Sequence, residues 1–108
     1  MALLDDLKTT ILNAAGNSLV GKPQVVISYL KTEGEKLAIT LAMITDGVVN
    51  NTINKDEASI LLNQQKNAAL AVLTASEGMS NVIAQNAINS VLDSVKQMVN
   101  SKLPFPLL

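Results

Sequence analysis

Apolar residues recur along most of this chain at intervals of three and four, the spacing that gathers side chains on one face of an α-helix. Leu3, Leu4, Leu7, Ile11 and Leu12 form the first stripe, with Asp5, Asp6 and Lys8 opposite, and predict a helix over residues 2–15 that Gly16 and Asn17 end. A second helix is predicted from Gly21-Lys22-Pro23, with Pro23 at the first helical position, where its missing N–H leaves nothing unpaired. Its stripe is Val26, Leu30, Leu37, Leu41, Ile44 and Val48, widened by Ile39, Ala42 and Met43. A helix apolar nearly all round belongs in the middle of a fold. Gly34 weakens it by about 1 kcal/mol relative to Ala. Either the helix breaks into two pieces there or a neighbouring backbone comes too close for a side chain, and the expectation is a continuous helix kinked at that point.

Turn-forming residues cluster from Asp46-Gly47 to Thr52, and Asn54-Lys55-Asp56-Glu57 then opens a third helix. Asn54 is its cap and Glu57, three residues on, reaches back as in a capping box. The apolar positions there are Ala58, Leu61, Leu62, Ala68, Ala69, Val72 and Leu73, and Asn63, Gln64, Lys66 and Asn67 make the wet face. Ser76-Glu77-Gly78 interrupts the pattern, and a fourth helix is predicted over 80–101 as one piece. Ala84, Ile88, Val91, Val95 and Met98 give it a four-three-four-three seam suited to shallow helix packing. The fold expected is all-α: a small antiparallel bundle of about four helices over residues 1–102, followed by an extended, Pro-containing tail over 103–108.

Composition narrows the chemistry. The chain has no His, no Cys and no Trp, and its eight basic residues are all Lys. It therefore lacks an imidazole base, a thiolate, the imidazole and thiolate metal ligands and the planar guanidinium fork. No arrangement of the remaining carboxylates, Lys, Ser, Thr and Tyr29 suggests catalysis, so no catalytic residue, cofactor or metal is expected. A formal charge of −1, dispersed Lys, and Tyr29 and Phe105 as the aromatic residues argue against nucleic acid. The most apolar run, Leu37 to Ile44, is far shorter than the ~20 residues of a membrane-spanning helix. The acidic start Met1-Ala2-Leu3-Leu4-Asp5-Asp6 is unlike a secretory signal, so the expected setting is the cytoplasm or an assembled particle.

Two polar segments need weighing. Asp46 to Glu57 resembles the calcium loop of the EF-hand family in its twelve-residue length, its opening Asp, its closing Glu, and Ile53 at the aliphatic position. It departs where the chemistry lies, with Val48 at a position that should supply oxygen and Asn51 in place of the turn-forming Gly. The expected structure is a helix hairpin whose polar groups serve the backbone. In the cluster Lys31, Glu33, Glu35 and Lys36, the Lys31–Glu35 pair is ordinary surface decoration. Glu33 falls on the stripe between Leu30 and Leu37, and is the one acid whose burial would call for an explanation.

The tail differs from everything before it. In Leu103-Pro104-Phe105-Pro106-Leu107-Leu108 two prolines one residue apart hold the backbone out of the helix, and the side chains between and after them are large and apolar. Such a segment folds over its own bundle as a plug, or enters a groove on another chain. These features together point to a non-enzymatic structural or adaptor protein that associates with protein, chiefly with copies of itself. A particle or virion component is one form of this, and Leu103, Pro104, Phe105, Pro106, Leu107 and Leu108 are the partner-binding residues. The alternative is a carrier of an apolar small molecule or lipid, lined by Tyr29, Leu41, Ile44, Leu62, Gln65, Val72, Ile88 and Val91.

Overall fold

The computed structural model describes residues 2–18, 21, 24–76 and 78–108. Its elements are α1 (Ala2–Ser18), α2 (Gln24–Val49), α3 (Lys55–Ser76), α4 (Asn81–Asp93) and a short α5 (Lys96–Asn100). Among the described residues there is no strand. Pro23 lies outside the described residues.

α1 runs through Gly16 and Asn17 instead of ending there. Ala15 is fully buried, so the last turn is held by packing, and tertiary contact outweighs the local cost of Gly and Asn. α2 is continuous over 26 residues, about 39 Å at 1.5 Å per residue, and so spans nearly the whole 41 Å long axis of the molecule. Gly34 lies inside it and is buried. A Cβ there would sit 2.7 Å from Cγ2 of Ile11, so the neighbour that needs the space is a side chain of α1 rather than a backbone. The glycine is a contact device.

α3 opens as expected. Asn54 Oδ1 accepts from the Glu57 N–H at 2.8 Å, and Glu57 Oε1 accepts from the Asn54 N–H at 3.0 Å, a reciprocal capping box built on Asn. The fourth helix departs from expectation, because it breaks at Ser94-Val95. The Ser94 hydroxyl donates to the Val91 carbonyl, the Val95 N–H donates to Leu92 one residue short of the helical partner, and Val95 takes φ −115° and ψ 6°. Serine bonding back onto the preceding turn is a common cause of such bends. Beyond the break the register shifts, so that Val99 is fully buried while Met98 is only half-buried.

Each long helix lies beside its predecessor and α4 closes the ring against α1, with only sparse contact between α2 and α4 across the diagonal. Neighbours are antiparallel: Lys8 pairs with Glu35, Ile11 meets Gly34, and Gly16 approaches Lys31, positions that rise in one helix as they fall in the other. The fully buried core is aliphatic, built on Leu7, Ile11, Leu30, Leu37, Leu41, Ile44, Leu73, Val91, Val95 and Val99. No helix among the described residues is long and apolar enough to cross a membrane.

Candidate association surface and the buried Glu33

The tail from Leu103 lies on its own bundle. Leu103, Phe105, Leu107 and Leu108 pack, half-buried, against the core, while Pro104 and Pro106 face solvent. Asn100 ties it down. Its Oδ1 accepts from the N–H groups of Leu107 (2.9 Å) and Leu108 (3.1 Å), and its Nδ2 donates to the Leu108 oxygen at 3.2 Å. Leu107 and Leu108 close one end of a surface trough between α3 and α4, floored by Leu62 and Leu92 and walled by Asn63, Lys66, Asn89 and Asp93. A half-buried Asn serving three backbone groups left without partners by two prolines is the feature that sequence reasoning missed. Its signal was an amide placed directly after the last core Val.

The eight residues named as a ligand lining do not converge. Leu41, Ile44, Leu62, Ile88 and Val91 are packed in the aliphatic core. Tyr29 and Val72 share a shallow depression between α2 and α3, Ile44 and Gln65 border a second, Ile88 lies in a third, and Leu62 lines the trough described above. The depression at Tyr29 has a volume of about 400 Å³ and includes Ser28, Thr32, Glu33, Lys36 and Ser76.

Glu33 is 2 % exposed. Its Oε2 accepts from Lys36 Nζ at 3.1 Å, and its Oε1 is buried without a partner. In the Asp46–Glu57 segment the side chains of Thr52, Asn54 and Glu57 bond to backbone. The Gly47 carbonyl accepts from the N–H groups of Thr52 (2.8 Å) and Ile53 (3.1 Å) and from the Thr52 hydroxyl (3.1 Å), Asn51 takes the left-handed conformation at φ 62°, and Glu57 is engaged in its cap. Gly47 has no room for a side chain because Ile53 lies directly over it. Among the described residues no three His, Cys, Asp or Glu side chains come together.

Exposed large apolar side chains lie along the outer face of α2, besides Val49 at its end, Ile60 and Leu61 on α3, and Val82 and Ile83 on α4. Met43 is 64 % exposed, Val25 54 %, Ile39 42 % and Tyr29 39 %. Ile39 and Met43, which the sequence suggested as a widening of the inner stripe, point outward. On α3, Leu61 is also exposed and borders the same depression as Met43, so the apolar surface continues across the α2–α3 groove. No known protein family, curated protein or solved structure matches this chain.

Proposed function

We propose that this chain is a non-catalytic association protein, a small helical subunit or adaptor whose working surface is the outer face of α2 together with the adjoining edge of α3. The observation that carries this reading is the exposure of Val25, Tyr29, Ile39 and Met43 along a single helix. Isolated apolar residues on a surface are ordinary, whereas an aligned set on one helix face is the pattern of helix-mediated docking. The sequence has no His, Cys or Arg, and Asn54 and Glu57 are engaged in a reciprocal helix cap, which favours association over catalysis as the reading.

The tail is assigned here to the subunit's own stability, because Asn100 and the core already engage it. A carrier of an apolar molecule is the weaker reading, resting on Tyr29 and Val72 at one open depression.

Sedimentation or native mass of the full chain tests the proposal. The expected result is a mass above that of one chain which falls when Ile39→Glu and Met43→Glu are combined, with helical content unchanged. Removal of residues 103–108 should lower the melting temperature and leave the mass unchanged. A drop in mass on tail removal with the α2 variant unaffected would transfer the association role to the tail.

A further inference from the structure

Among the described residues Glu33 is the only buried charged side chain, and it is only half engaged. Lys36 donates to Oε2 at 3.1 Å, while no described group donates to Oε1. The hydroxyl of Thr32, next to it in the chain, is committed to the Ser28 carbonyl at 3.0 Å. A carboxylate oxygen withdrawn from water without a donor is costly, and it marks a group whose retention calls for a role. Glu33 also lines the depression between α2 and α3. Tyr29, Glu33 and Lys36 stand at i, i+4 and i+7 and so share one face of α2, and Val72 and Ser76 close the depression from α3. An apolar wall, here the Tyr29 ring and the half-buried Val72, with one placed polar group is the make-up of a small-molecule site, and about 400 Å³ is room enough for one.

Two features define the ligand. An ionised carboxylate oxygen only accepts, so the ligand must bring an N–H or O–H. The charge of Glu33 is already balanced by Lys36, so a neutral donor completes the group, whereas a second cation would stand beside the ammonium and be repelled by it. We infer that this depression is a binding site for a neutral, compact apolar molecule bearing one N–H or O–H donor, the donor bonded to Glu33 and the apolar body held between Tyr29 and Val72. The last torsion of a glutamate is broad and roughly two-fold, so either oxygen can turn to the ligand while the other keeps Lys36. The inference goes beyond the association reading and does not rest on it.

The chain has no Trp, so indole fluorescence excited beyond the tyrosine band reports binding directly. Indole brings one N–H donor, and 1-methylindole is the same ring without it. An apolar surface alone prefers the methylated ring, which has more area to bury, so the order of the two decides the matter. The full wild-type chain should bind indole about tenfold more tightly than 1-methylindole, the scale of a hydrogen bond to a charged group. Glu33→Leu should abolish that preference. Val72→Phe, which fills the depression from α3 and leaves Glu33 in place, should weaken both rings and keeps the test open if Glu33→Leu does not fold. Equal binding of the two rings, a preference that survives Glu33→Leu, or indifference of both to Val72→Phe would overturn the site. So would no binding of indole at millimolar concentration, and in each of these cases the association reading would stand. Tighter binding of benzylamine than of indole would overturn the neutral class of ligand, since a cation would then be displacing Lys36.

Discussion

α2 and α3 are neighbours of similar length in one bundle, yet α2 buries twelve of its 26 residues and α3 only four of its 22. α2 faces inward with Leu30, Leu37, Leu41 and Ile44, all essentially without exposure. α3 relies on Ala58 and Ala69 with Leu62 and Leu73, and a surface depression on its α4 side is bordered by Asn63, Asn67, Gln85 and Asn89. Alanine contacts let two helices approach closely but bury little area, and buried apolar area is what stabilises at about 25 cal/mol per Å². The stability of this bundle is therefore concentrated in α2 and the helices pressed on it, and α3 is its lightly held member. α2 also carries exposed apolar residues on its outer side, as α3 does at Ile60 and Leu61 and α4 at Val82 and Ile83. One element supplies both the post of the fold and a run of exposed apolar side chains.

A matched pair of substitutions tests that contrast. Leu37→Ala, in the middle of the dense side, should cost about 3–5 kcal/mol, because the surrounding leucines cannot close the cavity. Leu62→Ala should cost about 2 kcal/mol, since its site opens onto the α3–α4 trough and water or the neighbouring Leu107 and Leu108 can take up the space. Chemical denaturation measures both. Equal losses would mean that α3 is held as firmly as α2, and the contrast drawn from their burial would fail. Hydrogen exchange should agree, with α3 amides opening at lower free energy than those of α2.

The α1–α2 contact sharpens the same point at a smaller scale. Gly34→Ala would normally improve a helix by about 1 kcal/mol. Here the added methyl meets Cγ2 of Ile11 at 2.7 Å, and Ile11 is a stiff, fully buried side chain that cannot turn aside. The expected outcome is a net loss of about 1–3 kcal/mol, the range for an overpacked core. The double variant Gly34→Ala/Ile11→Val should not restore it, because valine keeps the branched carbon, whereas Gly34→Ala/Ile11→Ala should show a positive coupling in a double-mutant cycle. A gain in melting temperature for the single variant would show that the two helices are not as close as described.

Much of this fold was legible because local and global preferences agree. The Asn54–Glu57 box is a local reciprocal pattern, and the placement of Glu33 on the inner stripe follows from helical period alone. What was not legible has identifiable causes. The break at Ser94 depends on a hydroxyl choosing a backbone acceptor over solvent, and period-reading carries the seam straight through it to Met98. Leu61 reads as core yet is exposed, because α3 has a dense neighbour on one side only. For the site, the obscured step was the outer face of α2: a stripe that is too wide reads the same whether a helix is buried all round or buried on one side and apolar on the other. Ile39 and Met43 needed the positions of α1 and α3 to be placed. The Asn100 clamp joins residues through side chain to backbone, with no periodicity to announce it.

The smallest expected effect separates a polar group kept for the fold from one kept for something else. Within the densely packed α2, Glu33 is the anomaly, a carboxylate 2 % exposed with Oε1 unpartnered and with one ion-pair partner, Lys36, whose side chain is largely in water. A well-packed apolar residue of similar size removes the desolvation cost on the Glu33 side, and the Lys36 ammonium loses little because solvent can satisfy it. Glu33→Leu should therefore leave monomer stability unchanged or raise it by about 1 kcal/mol, read by denaturant titration. Glu33→Gln, which keeps the shape and a hydrogen-bonding group but abolishes the ion pair, should be the less stable of the two, since an amide leaves buried polar atoms in want of partners. If Glu33→Leu instead loses more than about 1 kcal/mol, the carboxylate and its Lys36 contact contribute more to α2 than their burial costs, and the desolvation argument fails.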